Sequence, residues 1–477
     1  MKALVQELWE QLNDLGDSTY YVLGTLSTEH IKNFLFATMD EVRLRYAASC
    51  TKSILKSSDI EDADHFRQGL LRREVTKDIA YNKQRDHSAH TLYNYLMGWY
   101  ISKNCPLIEN KIKEQFKKRN WDEEGIYFIS VWPFTSLLHD VGYLFEGALN
   151  PLSTDIQSKQ VNIGAEVAND YFSHRFWIES SADSIYDRER LRVIADVREP
   201  DFSNHSLAGV ADTLRSLGNL EHLRVAVRNE RTIKGVKPPD ESDYINIKNG
   251  LPGDAFDLWE RHYEYFGFPS MAERIRSMRL IFESLIRDSL GNTGLRVLDH
   301  GVCSGLLLLL YSTFYFRMYF GLGDTSPTDE NDKAIWTRFR NASLVNPPPP
   351  FAEGDYHSLW WWTGVVWATA ATALHNIQQL RDMGPQYGAI EKLNLDEDAL
   401  TYMGILVDCI QEWDRYTVSR ESVIAGLLPL QGADVKLSSE GGKIHIDYGD
   451  SDRAKKVEKA ISGALSDEWK EIIDIMG

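Results

Sequence analysis

The sequence predicts a mainly α-helical protein with a small α/β piece at its C-terminal end. Apolar residues recur at three- to four-residue spacing with charges between them, as at Val5, Leu8, Leu12 and Leu15. Long apolar segments of helix length alternate with loops rich in Pro, Gly, Asn and Asp. Only VKLSSEGGKIHIDYG, residues 435–449, alternates apolar and polar residues about a Gly441-Gly442 turn, the mark of a β-hairpin. A chain of 477 residues, 43% hydrophobic, can bury two or three ordinary cores or one large helical core with insertions.

Taken in order, residues 1–80 read as an amphipathic helical lead-in. The body, 81–430, contains segments 86–103, 126–145, 270–290, 299–320, 358–382 and 398–414, each long enough to be a helix lining a core. Within it, 151–298 reads as a large helical insertion that includes the loop 235–254. The stretch 321–357, with its Pro, Gly, Asn and Asp, is longer than compact domains usually tolerate and suits a lid. Residues 431–477 form an α/β appendage, hairpin first, with 451–476 expected as one helix. No internal repeat is visible.

Several function classes are disfavoured at once. A net charge of −18 repels polyanions, so extended duplex nucleic acid is not an expected partner, whereas small or metal-bridged phosphates are compatible. Cys50, Cys105, Cys303 and Cys409 have no CxxC or CxxH spacing, which argues against a thiolate zinc site or a disulfide framework and fits a reducing cytoplasm. The start, MKALVQELWEQLNDLGD, has acidic residues where an export signal needs a basic end and an apolar run, so cytoplasmic location is expected. GLLLLLYSTFYF (305–316) and SLWWWTGVVWATAATAL (358–374) fall short of the roughly 20 residues of a spanning helix and read as buried core, with no membrane partner.

The chemistry lies in the histidines. Of thirteen, His30, His65, His174, His205, His222, His262, His357 and His445 sit in polar or irregular contexts and read as surface or loop residues. Five lie in or beside apolar helices: His87 and His90 in RDHSAHTLYNYLMG, His139 in LLHDVGY, His300 in LDHGVCSGLLLLL, and His375 in ATALHNI. A carboxylate, Asp408, interrupts ILVDCI in the same manner and would be costly to bury unpaired. One buried histidine is usually a hydrogen-bonded core residue. Four apolar segments with histidine and a fifth with aspartate point instead to a shared cation.

Imidazole and carboxylate donors without thiolate suit divalent Mn, Fe, Co, Ni or Zn, or Mg where oxygen dominates. His139 and Asp140 are adjacent, so from mid-helix they would point apart; at a helix end both can face one site. One can then bind a metal while the carboxylate bridges to a second, with Gly142 relieving crowding as the chain turns. Two metals about 3.5–4 Å apart can activate a shared water and clamp the oxygens of a phosphoryl group.

The succession His90, His139-Asp140, His300, His375, Asp408 resembles the HD-domain metal-dependent phosphohydrolase superfamily in its extended form with two added histidines. The likeness covers roughly 85–415, and 151–298 has no counterpart in small members. It implies an HD-type helical core and two metals held by His90, His139, Asp140, His300, His375 and Asp408. Both His87, before Ser88, and His90, before Thr91, partly match the first histidine of the pattern. His90 is favoured as ligand, with His87 one turn back as proton donor or phosphate contact, and the reverse assignment stays open. Tyr143 stands where many relatives have lysine. Asp299 reads either as an orienting acceptor for His300 or as a helix N-cap.

Members of the superfamily hydrolyse phosphomonoesters, phosphodiesters and nucleoside triphosphates. A bacterial group with RDHxxH, HDxGY, DHG, AxxxHN and DxxQEW resembles antiviral-defence hydrolases, and this chain carries each of those motifs. The resemblance implies a (d)NTP hydrolase of the deoxynucleoside triphosphate triphosphohydrolase type, with a small nucleotide as substrate and a homo-oligomer regulated by nucleotides. Cyclic-nucleotide or oligonucleotide phosphodiesterase and nuclease activities are the alternatives; a di-iron oxygenase and a non-catalytic regulatory protein are rivals of other classes. Arg415, two turns beyond Asp408, reads as a phosphate contact or as an ion pair with Glu412 or Asp414. Trp360, Trp361, Trp362 and Trp367 invite base stacking, but consecutive tryptophans cannot share a helix face, so packing is the better reading.

Overall fold

Helix-forming apolar segments dominate the chain, and the computed structural model is mainly helical with one small sheet. It describes residues 1–58, 60–71, 87–119, 126–145, 164–172, 202, 207–216, 254–289, 298–320, 361–376, 391–414 and 430–477. The chain divides into two compact units, one of residues 1–143, 299–305 and 370–477, the other of residues 144–298 and 306–369.

In the first unit the helix His87–Asn104 has no solvent face: every side chain from His87 to Ser102 is buried. That is why its apolar residues show no one-sided stripe; it packs against the helices Asp40–Ser57, Pro106–Lys118, Ile126–Ser136 and Ala399–Ile410 on different sides. Small residues set the closest approaches. A Cβ on Gly98 would lie 2.0 Å from the Trp132 ring, whose indole N–H donates to Tyr95 O at 3.0 Å. A Cβ on Gly404 would lie 2.8 Å from Thr135.

The lead-in is a series of short helices, Leu4–Asn13, Tyr20–Leu23, Thr28–Leu35 and Asp40–Ser57, preceded by a strand the periodicity did not anticipate. This strand, β1 (Lys2–Ala3), pairs antiparallel with β2 (Lys436–Glu440), Lys2 opposite Leu437, so the two ends of the sequence share one sheet. The predicted hairpin of β2 and β3 (Lys443–Asp447) is present, with Gly441 and Gly442 at φ 61° and 82° as its turn requires. The single helix expected over 451–476 is not. The helix Ser451–Ala464 stops at Leu465, a short turn of helix covers Trp469–Ile472, and Ile473–Met476 becomes β4, parallel to β3. The β-branched Ile473 and Ile475 favour extension once a sheet edge is there to receive them. Buried Leu437, Ile444 and Ile446 and the Tyr448 hydroxyl, which donates to Ile410 O at 2.5 Å, bind this sheet to the end of the Asp408 helix.

The second unit has a helical hairpin, Ala255–Tyr265 and Pro269–Ser289, turning at Gly267 with φ 80°. Asp254 caps its first helix, and Arg279 reaches Asp254, Asp257 and Glu283 across the pair. His262, read from sequence as a surface residue, is fully buried here between Tyr263 and Phe266; its neighbours in sequence are polar, but its face of the helix is apolar. Trp367 is also buried, as packing required. No helix among the described residues is long and apolar enough to cross a membrane. The lid segment 321–357, the loop 235–254 up to residue 253, Arg415 and most of the insertion lie outside the described residues.

Candidate metal centre

Five stretches of the first unit bring the singled-out residues together. His87 and His90 are three apart at the start of their helix and share a face. The segment expected as one helix over 126–145 instead ends at Ser136, where the N–H groups of Leu137 and Leu138 both return to Pro133 O at 2.9 and 3.2 Å. His139 and Asp140 follow in a turn before the tight helical turn Val141–Leu144, which lets adjacent side chains face one site. His300 opens the helix His300–Phe320, His375 lies just past the helix Val366–Leu374, and Asp408 is near the end of Ala399–Ile410.

Asp140 occupies the middle. Its Oδ2 faces Nε2 of His139 at 3.3 Å and Nε2 of His87 and His90 at 3.7 Å each. Its Oδ1 faces Nε2 of His300 at 3.8 Å and of His375 at 4.0 Å, and those two nitrogens are 3.2 Å apart. Asp408 Oδ1 lies 2.9 Å from His90 Nε2 and 3.5 Å from His139 Nε2. Potential ligand atoms of His90, His139 and Asp408 all lie within 4.8 Å of one another, as do those of His139, Asp140 and His375. The five histidines and Asp140 are buried, and the Asp408 side chain is 31% exposed.

The outer hydrogen bonds fix the rings. His139 Nδ1 donates to Ser136 O and His375 Nδ1 to Thr372 O, each at 2.7 Å. Gln411 donates its amide N–H to Trp413 O and so presents Oε1 to His90 Nδ1 at 2.5 Å. In each neutral ring the remaining lone pair is therefore on Nε2, aimed inward, the arrangement that metal-ligating histidines adopt. His139 Nε2 is buried without a hydrogen bond while facing two carboxylates. Lone pairs against anionic oxygens repel unless a proton or a cation stands between them.

The electrostatics express the same demand. Burial alone would lower the His139 pKa, but Asp140 and Asp408 outweigh it and raise the imidazole to about 9. Burial opposes ionisation of both carboxyls, yet the surrounding histidines hold Asp140 and Asp408 well below the usual carboxylate range. Burial, reinforced by His139 and His300, takes His375 down to about 3 and keeps it neutral. Two carboxylates thus retain negative charge beside the neutral His375 and a His139 that holds a proton a cation would displace, a donor set that fits divalent cations of the Mn to Zn series.

Close packing holds the halves in place. A Cβ on Gly142 would lie 1.9 Å from His300 O, so glycine alone lets the His139-Asp140 turn meet the start of the helix that His300 opens. Ser304 Oγ accepts the Gly142 N–H at 2.7 Å. Asp299 accepts Val302 N–H at 2.9 Å, as an N-cap does, and the Asn376 amide at 2.8 Å, tying the His300 and His375 segments together. The Tyr143 ring stacks on His300, centroids 3.9 Å apart and 9° between planes, and lies 4.9 Å from His87.

Sequence reasoning did not single out Gln411 for its link to His90, nor Asn94, whose amide lies 3.3 Å from His90 Nε2 and 3.4 Å from Asp408 Oδ1. The four-residue spacing from His90 was the available signal for Asn94. Of the two acids offered as partners for Arg415, Asp414 is buried and bound by Arg43, Tyr93 and Gly432, and Glu412 pairs with Lys456 at 3.3 Å. No protein-family model, curated protein or solved structure matches the chain.

Proposed function

We propose that this chain is a metal-dependent phosphohydrolase of the HD-domain type, acting on nucleotides and foremost on (deoxy)nucleoside triphosphates. One observation carries the reading: Asp140 turns one oxygen toward His90 and His139, beside Asp408, and the other toward His300 and His375. That is the placement a bridging carboxylate needs between two cations. His90, His139 and Asp408 would hold one, His300 and His375 the other, with Asp140 common to both. Bound cations would lower the pKa of a water molecule and neutralise charge on phosphoryl oxygens.

The protein's own groups supply the rest. The Nδ1–H bonds to Ser136, Thr372 and Gln411 keep the rings from turning and hold their lone pairs inward. Buried walls exclude bulk water and strengthen each charge interaction within. His87 faces Asp140 at 3.7 Å and, among the described residues, is the imidazole beside it that lies outside the proposed ligand set, so it is assigned proton delivery to the leaving oxygen. The net charge of −18 favours a small substrate whose phosphates arrive with their own cations over an extended polyanion. Membership of the defence-associated group, a cytoplasmic location and a nucleotide-regulated oligomer are parts of the same proposal.

The test is metal analysis of purified protein followed by a panel of nucleotides with product identification. About two equivalents of divalent metal and release of triphosphate or phosphate from a (d)NTP are expected. Hydrolysis of cyclic or oligomeric diesters alone would move the assignment to a diesterase. Oxygen consumption with iron would make it an oxygenase, and bound metal without turnover a regulatory protein.

A further inference from the structure

Asn94 is buried inside the helix His87–Asn104, and nothing in a hydrophobic core explains a carboxamide there. Its Nδ2 points at two acceptors, His90 Nε2 at 3.3 Å and Asp408 Oδ1 at 3.4 Å. Its Oδ1 is buried with no hydrogen-bond partner. A lone carbonyl oxygen kept from water in this way costs on the order of 1–3 kcal/mol, which a helix residue could avoid with leucine or alanine. The two acceptors that face Nδ2 are also two of the three donors proposed to hold the first cation. The amide N–H groups therefore point into the space between His90 and Asp408 where a cation held by both would lie.

We propose that Asn94 is itself a ligand of the metal centre, its carboxamide presenting Oδ1 to a cation held by His90 and Asp408. This inference rests on the cluster being a metal centre. A cation drawn to His90 and Asp408 repels an N–H directed at it, and a half-turn about the Cβ–Cγ bond exchanges nitrogen for oxygen in nearly the same volume. The turn leaves one buried amide end without a partner before and after, so the change in ligation decides its direction. A neutral oxygen ligand adds coordination without adding charge to a site that already has two carboxylates, and it suits hard divalent ions. The i, i+4 spacing places His90 and Asn94 one turn apart on one face, a rigid two-point grip.

The experiment uses the full-length protein, freed of metal and titrated with Co(II), in wild-type, Asn94→Asp and Asn94→Leu forms. Co(II) reports both affinity and, through the strength of its visible absorption, the number of ligands. Asn94→Asp keeps an oxygen at the position and is expected to bind as tightly as wild type or more tightly. Asn94→Leu is expected to bind one of the two equivalents roughly tenfold or more weakly, with stronger visible absorption from the lower coordination number. Wild-type affinity and spectrum in Asn94→Leu would overturn the proposal, as would equal weakening in both variants, which would mean that the N–H donor is what matters. If Asn94→Leu does not fold, Asn94→Asp decides alone: its metal-free form, with a carboxylate beside Asp408, should melt below wild type and gain more in Tm from Co(II). A smaller gain than wild type would overturn the proposal. A wild-type protein that takes up no Co(II) would instead overturn the reading of the cluster as a metal centre.

Discussion

Gln411 holds the Nδ1–H of His90 at 2.5 Å and thereby decides which nitrogen of that ring faces the carboxylates. The carboxamide is itself held by Trp413 O, and the next residue, Asp414, has the left-handed φ of 51° and is gripped by Arg43, Tyr93 and Gly432. A helix of the N-terminal lead-in thus reaches the candidate centre through three residues that follow Asp408.

Gln411→Leu removes the acceptor and frees the His90 ring, so metal affinity should fall roughly 10–100-fold with the fold retained. Gln411→Glu should preserve affinity or increase it, because a carboxylate makes the imidazole more basic. Isothermal titration with Mn(II) or Co(II) measures both. Equal affinities in all three proteins would remove Gln411 from the site.

Arg43 and Asp414 are both buried, so breaking the pair leaves one charge uncompensated. Arg43→Met should cost about 3–5 kcal/mol in denaturant unfolding. The double variant Arg43→Met, Asp414→Leu should be more stable than the single one, since no lone charge remains. A single-variant loss below about 1 kcal/mol, as for an exposed pair, would contradict the burial.

A methyl group at position 142 meets backbone, which cannot swing aside as a side chain can. Gly142→Ala should destabilise by about 1–3 kcal/mol or more and separate Asp140 from His300. Metal analysis of the refolded variant should then show fewer equivalents than wild type. Wild-type Tm and metal content together would show that the approach is looser than 1.9 Å.

Asp140→Asn should lower hydrolysis of the best phosphate substrate by several orders of magnitude, because one carboxylate serves both halves of the cluster. His87→Ala should cost less, about 10²–10⁴-fold, as loss of a proton donor does. Circular dichroism checks that both remain folded. Near-normal turnover by Asp140→Asn would rule out the bridging role, and metal loss in His87→Ala equal to that in His90→Ala would reassign the pair.

Burial pushes the Cys50 thiol up from 9.0 to about 12. A thiol with a raised folded-state pKa contributes stability that is complete below about pH 9 and is lost as pH climbs toward 12. Within that window Cys50 should contribute a loss of about 1.4 kcal/mol per pH unit. Unfolding of wild type and Cys50→Ala measured from pH 8 to 11 should converge as pH rises; a constant gap would refute the shift.

The helical class, the helices that carry His87, His90, His300 and Asp408, and the hairpin at Gly441-Gly442 were legible in the sequence. Each is a local property: apolar spacing encodes which residues are buried, and a pair of glycines encodes a turn. Donor chemistry was legible for a related reason, since an ionisable group such as Asp408 inside an apolar run needs a partner wherever the chain goes. Identity of the partner was not. Arg43 and Asp414 are 371 positions apart, and His90 and Gln411 321, and no periodicity records such a meeting. The two-residue strand Lys2–Ala3 was too short to carry an alternating pattern and exists because β2 offers it an edge. Which nitrogen of His139, His375 and His90 turns inward was decided by carbonyl groups of Ser136 and Thr372 and by Gln411, positions that carry no metal-ligand signature. Sequence determined what chemistry the core had to accommodate, because composition and spacing are sufficient to state a need. Only the tertiary structure decided how the need is met, because distances and ring orientations arise from the packing of segments distant in the chain.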